Sequence, residues 1–281
     1  MKMILILLMA WSVNSVADEM KDVAIKVTSV RGNVYMLQGA GGNIGVLATN
    51  DGLIMIDDEF APLAPRIQVA MRGISDKPIK YIINTHFHGD HTGSNSFFAK
   101  QAPIIAQANV RTRLMANPAD KQVALPILTY DSGMDIYLGA EDVELMHLAH
   151  GHTDGDTAVY FKHANVLHTG DLFFEIGFPF VDLKHGGSVK GYLADVRYLI
   201  ANTPDDVMII PGHGKLTNKK RYIEFANMID YSIKLVEREL AAGLTEQQIM
   251  QQGIGKQYQQ WSWSFVNEKK WLQTLIDDLK P

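Results

Sequence analysis

The sequence predicts a layered α/β (α+β) fold, and three observations predict it. Short apolar runs broken by glycine, asparagine and aspartate turns recur from Ile25 to Ile210. Helix-spaced stretches interrupt them. From Asn218 onward the texture becomes wholly helical, so strands and helices are to be stacked in layers around a shared core. In chain order, Ile25–Gln38 reads as strand with a turn at Arg31-Gly32-Asn33. Ile44–Leu47 and Leu53–Ile56 read as two strands joined through Asn50-Asp51-Gly52. Pro62–Gly73 has helical spacing with proline near its start, and Lys80–Asn84 is strand again. Met134–Thr169 returns to short β runs, Ser188–Ala201 is helix-like, and Val207–Ile210 is a buried strand stopped by Pro211-Gly212. In the tail, Tyr222, Phe225, Ile229, Ile233, Val236 and Leu240 recur at three- and four-residue steps, the mark of an amphipathic helix. Further helices are expected over Thr245–Gln252 and Asn267–Leu279.

Composition sets the bounds. With 47% hydrophobic and 20% charged residues among 281, a packed core is expected and extended disorder is not. No repeat or Pro/Gly/Ser linker divides the chain. The expected organisation is therefore a leader over 1–17 and one domain over 18–281, with residues 218–281 as a helical layer packed on it. The formal net charge of -5 supplies no basic footprint, so neither nucleic acid nor an anionic membrane is an expected partner. Met1-Lys2, the apolar run Met3–Trp11 and the small-residue end Val16-Ala17 have the form of a secretory signal peptide cut after Ala17. That run is shorter than the ~20 apolar residues a membrane span requires. A periplasmic or secreted address without a stable membrane anchor is the expectation. There is no cysteine, so disulfides and a cysteine-linked lipid anchor are excluded.

The histidines carry the chemistry. His86 and His88 lie two apart after an apolar strand, where alternate side chains share a face and both imidazoles can address one ion. Gly89 lets the chain turn, and Asp90 and His91 follow at once. Imidazole and carboxylate are suitable donors for zinc and similar cations. Burying so many histidines without a partner would carry a desolvation cost. Three later segments, each after an apolar stretch and beside glycine, add ligand-type residues. They are His152 in Gly151–Asp156, Asp171 in Thr169-Gly170-Asp171, and His213 in Pro211–Gly214. Strand, then glycine-flanked donor, is the way a sheet edge projects side chains into a cleft.

The ordered set HFHGDH, GHTDGD, TGD and PGHG, with Gly45–Leu47 and Asp51–Asp57 before it, resembles the metallo-β-lactamase-fold hydrolases, over roughly Ile25–Leu216. The resemblance implies a four-layer αββα sandwich, here with a C-terminal helical extension. It also implies His86, His88 and His152 on one metal, Asp90, His91 and His213 on a second, and Asp171 bridging them. Two divalent ions are thus expected; zinc is the default, and iron or manganese suit the bridging carboxylate equally. The implied nucleophile is a water or hydroxide between the ions, which Asp90 would orient or deprotonate.

The implied activity is hydrolysis of an ester, thioester, lactone or amide bond, including a β-lactam, in a small molecule. The zinc β-lactamases of the three-histidine type carry a cysteine on the second metal. This chain has Asp171 in that region, which is closer to glyoxalase II-like thioesterases. A dedicated β-lactamase using Asp171, and a non-catalytic metal-binding accessory protein, are the alternatives. The oligomeric state is not readable. Around the centre, Leu172–Phe180 is expected to form one pocket wall, with Phe178 and Phe180 facing substrate. Trp261–Phe265 is expected in the core or a dimer contact rather than as a cap on the cleft. Tyr192 is a candidate beside an oxyanion, His150 a support for His152, and Asp57 or Asp58 a support for a ligand histidine. His147, His163, His168 and His185 are read as surface or satisfied core residues. Lys215 is a candidate for an anionic substrate group, and Lys256, Lys269 and Lys270 read as solvated charge.

Overall fold

The computed structural model describes residues 20–116 and 124–280. The expected leader therefore lies outside the described residues. Seven strands form the first sheet in sequence order: β1 (Lys26–Arg31), β2 (Val34–Gln38), β3 (Ile44–Thr49), β4 (Gly52–Ile56), β5 (Ile79–Asn84), β6 (Ile104–Gln107) and β7 (Leu128–Tyr130). Neighbours are antiparallel through β4 and parallel from β4 to β7. The second sheet contains β8 (Gly133–Leu138), β9 (Glu141–Leu148), β10 (Asp156–Phe161), β11 (Val166–His168), β12 (Met208–Ile210) and β13 (Thr217–Asn218). Its spatial order is β13-β12-β11-β10-β9-β8, with only β11 and β12 parallel.

Alternation along the strands explains why the sheets stack. Ile54 and Ile56 of β4 meet Val143, Val159 and Val166 of the second sheet in the central core. Their neighbours Leu53 and Met55 point the other way, onto Leu63, Ile67 and Met71 beside and within α1 (Ala64–Ile74). A strand buried on both faces has no polar positions, hence the unbroken Leu-Ile-Met-Ile run. Shorter helices follow the first sheet: α2 (Gly89–Thr92), α3 (Asn95–Phe98) and α4 (Ala108–Ala116). Covering the second sheet are α5 (Val189–Ala201), α6 (Lys219–Ala241), α7 (Glu246–Gln252) and α8 (Glu268–Leu279). Ala158, Leu167 and Ile209 of that sheet share a core with Val196, Phe225, Ile229 and Trp271 of these helices. Each buried large apolar side chain contributes roughly 1.5–3 kcal/mol. Ser188, Asn218, Thr245 and Asn267 start the four helices by accepting from a backbone N–H inside the first turn.

The αββα sandwich with helical extension is thus the observed architecture. Every strand and helix expected outside 85–133 is present within two or three residues of its expected bounds. The segments β6, α4 and β7 were not legible, because Ile104–Gln107 is short and α4 alternates small and polar residues without a wide apolar stripe. Among the described residues, no helix is long and apolar enough to cross a membrane.

Candidate metal centre

The loops after β5, β9, β11 and β12 meet at one edge of the sandwich. The two sheets are joined there by Thr157 N–H donating to the Thr85 carbonyl at 2.8 Å. His86 follows β5 directly. His88 precedes α2, which carries Asp90 and His91 on its single turn. His152 sits in the turn between β9 and β10, and Asp171 in the 3-10 turn Gly170–Leu172 after β11. His213 follows β12, with its loop held by Asn43. The Asn43 amide donates to the carbonyls of Pro211 and Gly214, and its backbone N–H to that of Gly212.

All seven residues come together. The donor atoms of His86, His88, His152 and Asp171 lie within 4.8 Å of one another, as do those of Asp90, His91 and His213. The Asp171 carboxylate stands between the groups. Its Oδ2 is 3.7 Å from His86 Nε2 and 3.4 Å from His152 Nε2. Its Oδ1 is 3.1 Å from His91 Nε2 and 3.3 Å from His213 Nε2. Asp90 Oδ2 closes the second group at 3.2 Å from His213 and 3.6 Å from His91. The spacing has no room for extra atoms in two places. A Cβ at Gly42 would lie on the His91 ring, and one at Gly212 on Asp171 Oδ1.

The outward nitrogens of four rings fix which way the inward ones face. His88 Nε2 donates to Asp182 at 3.0 Å, and His152 Nδ1 to the Phe180 carbonyl at 2.8 Å. His91 Nδ1 donates to Asp57 at 2.7 Å. Thr85 Oγ1 donates to Asp57 at 2.7 Å and so accepts from His86 Nδ1 at 3.1 Å. A neutral imidazole that donates outward keeps a lone pair inward. His88 Nδ1 and His152 Nε2 then face each other across 2.8 Å as two lone pairs, a repulsive pairing that a cation relieves. His86 Nε2, His91 Nε2 and Asp171 Oδ1 are buried without a hydrogen-bond partner. The residues present therefore fit two cations, one for each group.

Electrostatics differ between the groups. Burial, reinforced by the neighbouring His91 charge, drives His86 well below the usual histidine range. Burial takes His152 down to about 4. Burial opposes charge on His91 and His213 too, but the Asp171 and Asp90 carboxylates outweigh it. His91 is held well above its ordinary range and His213 is raised to about 9. Burial also disfavours ionised Asp171, yet the surrounding histidines overcome it and hold that carboxyl well below the carboxylate range.

Other expectations divide. Asp57 is the support for a histidine, whereas Asp58 instead accepts from Ser94 N–H. Tyr192 is no oxyanion group: it is fully buried and its hydroxyl donates to the Asp171 carbonyl at 2.7 Å. His150 is exposed and does not hold His152; the Phe180 carbonyl does that. His168 is a satisfied core residue, bonded to the Asn43 carbonyl and to Gly170 N–H. His185 gains a role the sequence did not show, at 2.6 Å from Asp182 beside His88. The aromatic wall is also reassigned. Phe178 packs in the core, while Phe174 and Phe180 line a cavity of about 500 Å³ over Asp90, Asp171 and His213. Trp263 and Phe265 line it as well, so only Trp261 of that motif is core. Lys270 is not freely solvated: its Nζ lies 3.7 Å from the Phe265 ring centroid. Lys215 does not line the cavity; its backbone N–H donates to Glu175.

Comparison with known proteins bears on the family and the fold. The model of the metallo-beta-lactamase superfamily matches residues 37–213. The chain is 26% identical to the 2,4-dinitroanisole O-demethylase subunit alpha of a Nocardioides species over 187 residues, covering 66% of this chain and 56% of that one. It is 28% identical to a hydroxyacylglutathione hydrolase of a Polaromonas species over 168 residues, covering 57% and 58%. It thus spans a little over half the length of these curated relatives. The metallo-beta-lactamase from Pontibacter korlensis superposes with a TM-score of 0.64 at 16% identity, over 73% of this chain and 99% of that one, which speaks to the fold. The chain belongs to the metallo-beta-lactamase superfamily.

Proposed function

We propose that this chain is an exported, binuclear metal-dependent hydrolase that cleaves an ester, thioester, lactone or amide bond in a small molecule. The observation that carries this reading is Asp171, whose two oxygens face two separate groups of buried, unpartnered donors. His86, His88 and His152 would hold one ion, Asp90, His91 and His213 the other, and Asp171 both. When bound, such ions supply a water acidic enough to attack at neutral pH and polarise the scissile carbonyl. Zinc suits the histidine-rich donor set.

The chain's own residues do the rest. Asp90 is the most open carboxylate of the centre, 26% exposed at the cavity floor, where it orients the attacking water or takes its proton. Asp57, Asp182, Thr85 and the Phe180 carbonyl keep the rings turned inward. The relatives' names span an O-demethylase and a hydroxyacylglutathione hydrolase, so they select no single bond for this chain. No lysine or arginine is among the described residues lining the cavity, so an anionic substrate group would find its counter-charge in the bound ions and in Lys270 behind the rim rings.

Turnover of the metal-loaded chain against aryl and alkyl esters, thioesters, lactones, a cephalosporin and a phosphodiester tests the reading. Chelator-sensitive cleavage of at least one ester, thioester, lactone or amide is expected. Silence on every substrate with two ions bound would instead support the accessory-protein alternative. The Met1–Ala17 pattern supports export, with cleavage after Ala17 into the periplasm. N-terminal sequencing of protein from the periplasmic fraction should begin at Asp18.

A further inference from the structure

The cavity is walled by an arc of rings that joins the two halves of the centre. It begins at His213, stacked on Phe174 with 5.1 Å between centroids and 9° between planes. Phe174 is 5.9 Å from Trp263, which is 5.6 Å from Phe265. Phe265 meets Phe180 edge-on at 5.4 Å, and Phe180 ends the arc 5.9 Å from His88 and 5.7 Å from His152. Two of its members, Trp263 and Phe265, come from the tail, outside the 37–213 segment that matches the superfamily.

The tail portion is built to stay in place. Trp263 Nε1–H donates to the Phe178 carbonyl at 2.9 Å, and Phe178 N–H donates to the Trp261 carbonyl at 2.7 Å. A Cβ at Gly177 would fall on the Trp263 ring, so the absence of a side chain there lets the indole seat. Lys270 then fixes Phe265 from outside. Its ammonium lies over that ring, 5.1 Å from the Phe180 ring, and donates to the Phe265 carbonyl at 3.1 Å. Despite this, Phe265 is 52% exposed. A large ring held rigidly at a cavity rim with half its surface in water is a surface that a ligand would cover.

Resting on the hydrolase reading, we infer that the C-terminal tail is a specificity element and that the substrate carries a flat, apolar aryl or fused-ring body next to the scissile bond. Such a body stacks on Trp263 and Phe265 while its acyl carbon reaches Asp90 and Asp171. A cavity of about 500 Å³ accepts a bicyclic ring with its acyl linker. Lys270 is a positioning residue: it holds Phe265 and touches no substrate.

The experiment uses the full metal-loaded chain with two readouts. In the first, kcat/KM is measured for naphthylacetyl and acetyl esters of one common alcohol. In the second, binding of 2-acetonaphthone, an unreactive flat ketone, is measured by calorimetry. The wild type should prefer the naphthylacetyl ester. Phe265→Ala should lower that preference about tenfold, mainly through KM, and weaken ketone binding by a similar factor. Lys270→Met, which removes no ring but takes away the ammonium that holds Phe265, should produce a smaller loss of about two- to threefold in both readouts. Turnover of both esters with equal preference in wild type and Phe265→Ala would overturn the inference and leave the hydrolase reading standing. Tail-dependent ketone binding without turnover of any ester would do the reverse.

Discussion

The two halves of the centre are made from similar donors but held in different ways. His86, His88 and His152 come from two loops, and each ring is anchored at its outward nitrogen by Thr85, Asp182 or the Phe180 carbonyl. Burial keeps His86 and His152 neutral even without a cation. In the other half, among the described residues, only His91 has such an anchor, to Asp57. His213 leans on the face of Phe174, and Asp90 is open to the cavity. The Asp171 and Asp90 carboxylates favour the protonated forms of His91 and His213, so a metal binding in this half competes with protons. The comparison teaches that one ion is to be bound as part of the fold and the other more loosely, next to substrate.

The largest expected effect comes from removing what the halves share. Asp171→Ala should lose both ions and lower turnover on the order of a thousandfold or more, read by metal analysis and kcat/KM. Retention of two ions would break the assignment. His213→Ala comes next: it should release one ion while the three-histidine group keeps the other, with turnover down roughly a hundredfold. Gly42→Ala drives a methyl into the His91 ring and should produce the same single-ion state in a folded chain, by metal analysis alongside circular dichroism. Asp182→Asn and Asp57→Asn weaken the outer anchors, each costing about 10–100-fold in affinity for its own ion by competitive chelation. Asp57→Asn should affect both ions, because that carboxylate also accepts from Thr85 beside His86.

The smallest effect concerns the His152 loop. Asp195 lies behind it, near the Gly151 backbone, and burial raises its pKa to about 6, only partly offset by His150. The folded state holds this proton more tightly than the unfolded chain, whose aspartate pKa is about 3.9. Its contribution to stability is thus present below about pH 4 and is lost as pH rises through about 6. Asp195→Asn should raise the melting temperature at pH 8 by a few degrees and have little effect at pH 4. An equal shift at both values would show that charge is not the cause.

The donors were legible because they fall in short segments after apolar strands, most of them beside glycine, a local pattern that topology then brings together. Their anchors were only partly so. Asp57, at the end of β4, was a marked support, but Asp182 lies 94 residues from His88 and no local signal joins them. The aromatic segments misled for a related reason. In Phe173–Phe180 and Trp261–Phe265, irregular backbone sends adjacent rings to opposite sides: Phe173 and Trp261 inward, Phe174 and Trp263 to the cavity. Without a period, the sequence does not show which ring goes where. Tyr192 shows the same limit, since a tyrosine that braces the Asp171 turn reads like one that faces substrate.

The most direct test is a calorimetric titration of the demetallated chain with zinc at neutral pH. Two equivalents should bind in separable steps. The tighter step should survive in His213→Ala, and the weaker should release more protons, read from the dependence of heat on buffer ionisation. A single equivalent in the wild type, or two identical sites, would contradict the account of an unequal pair joined by Asp171.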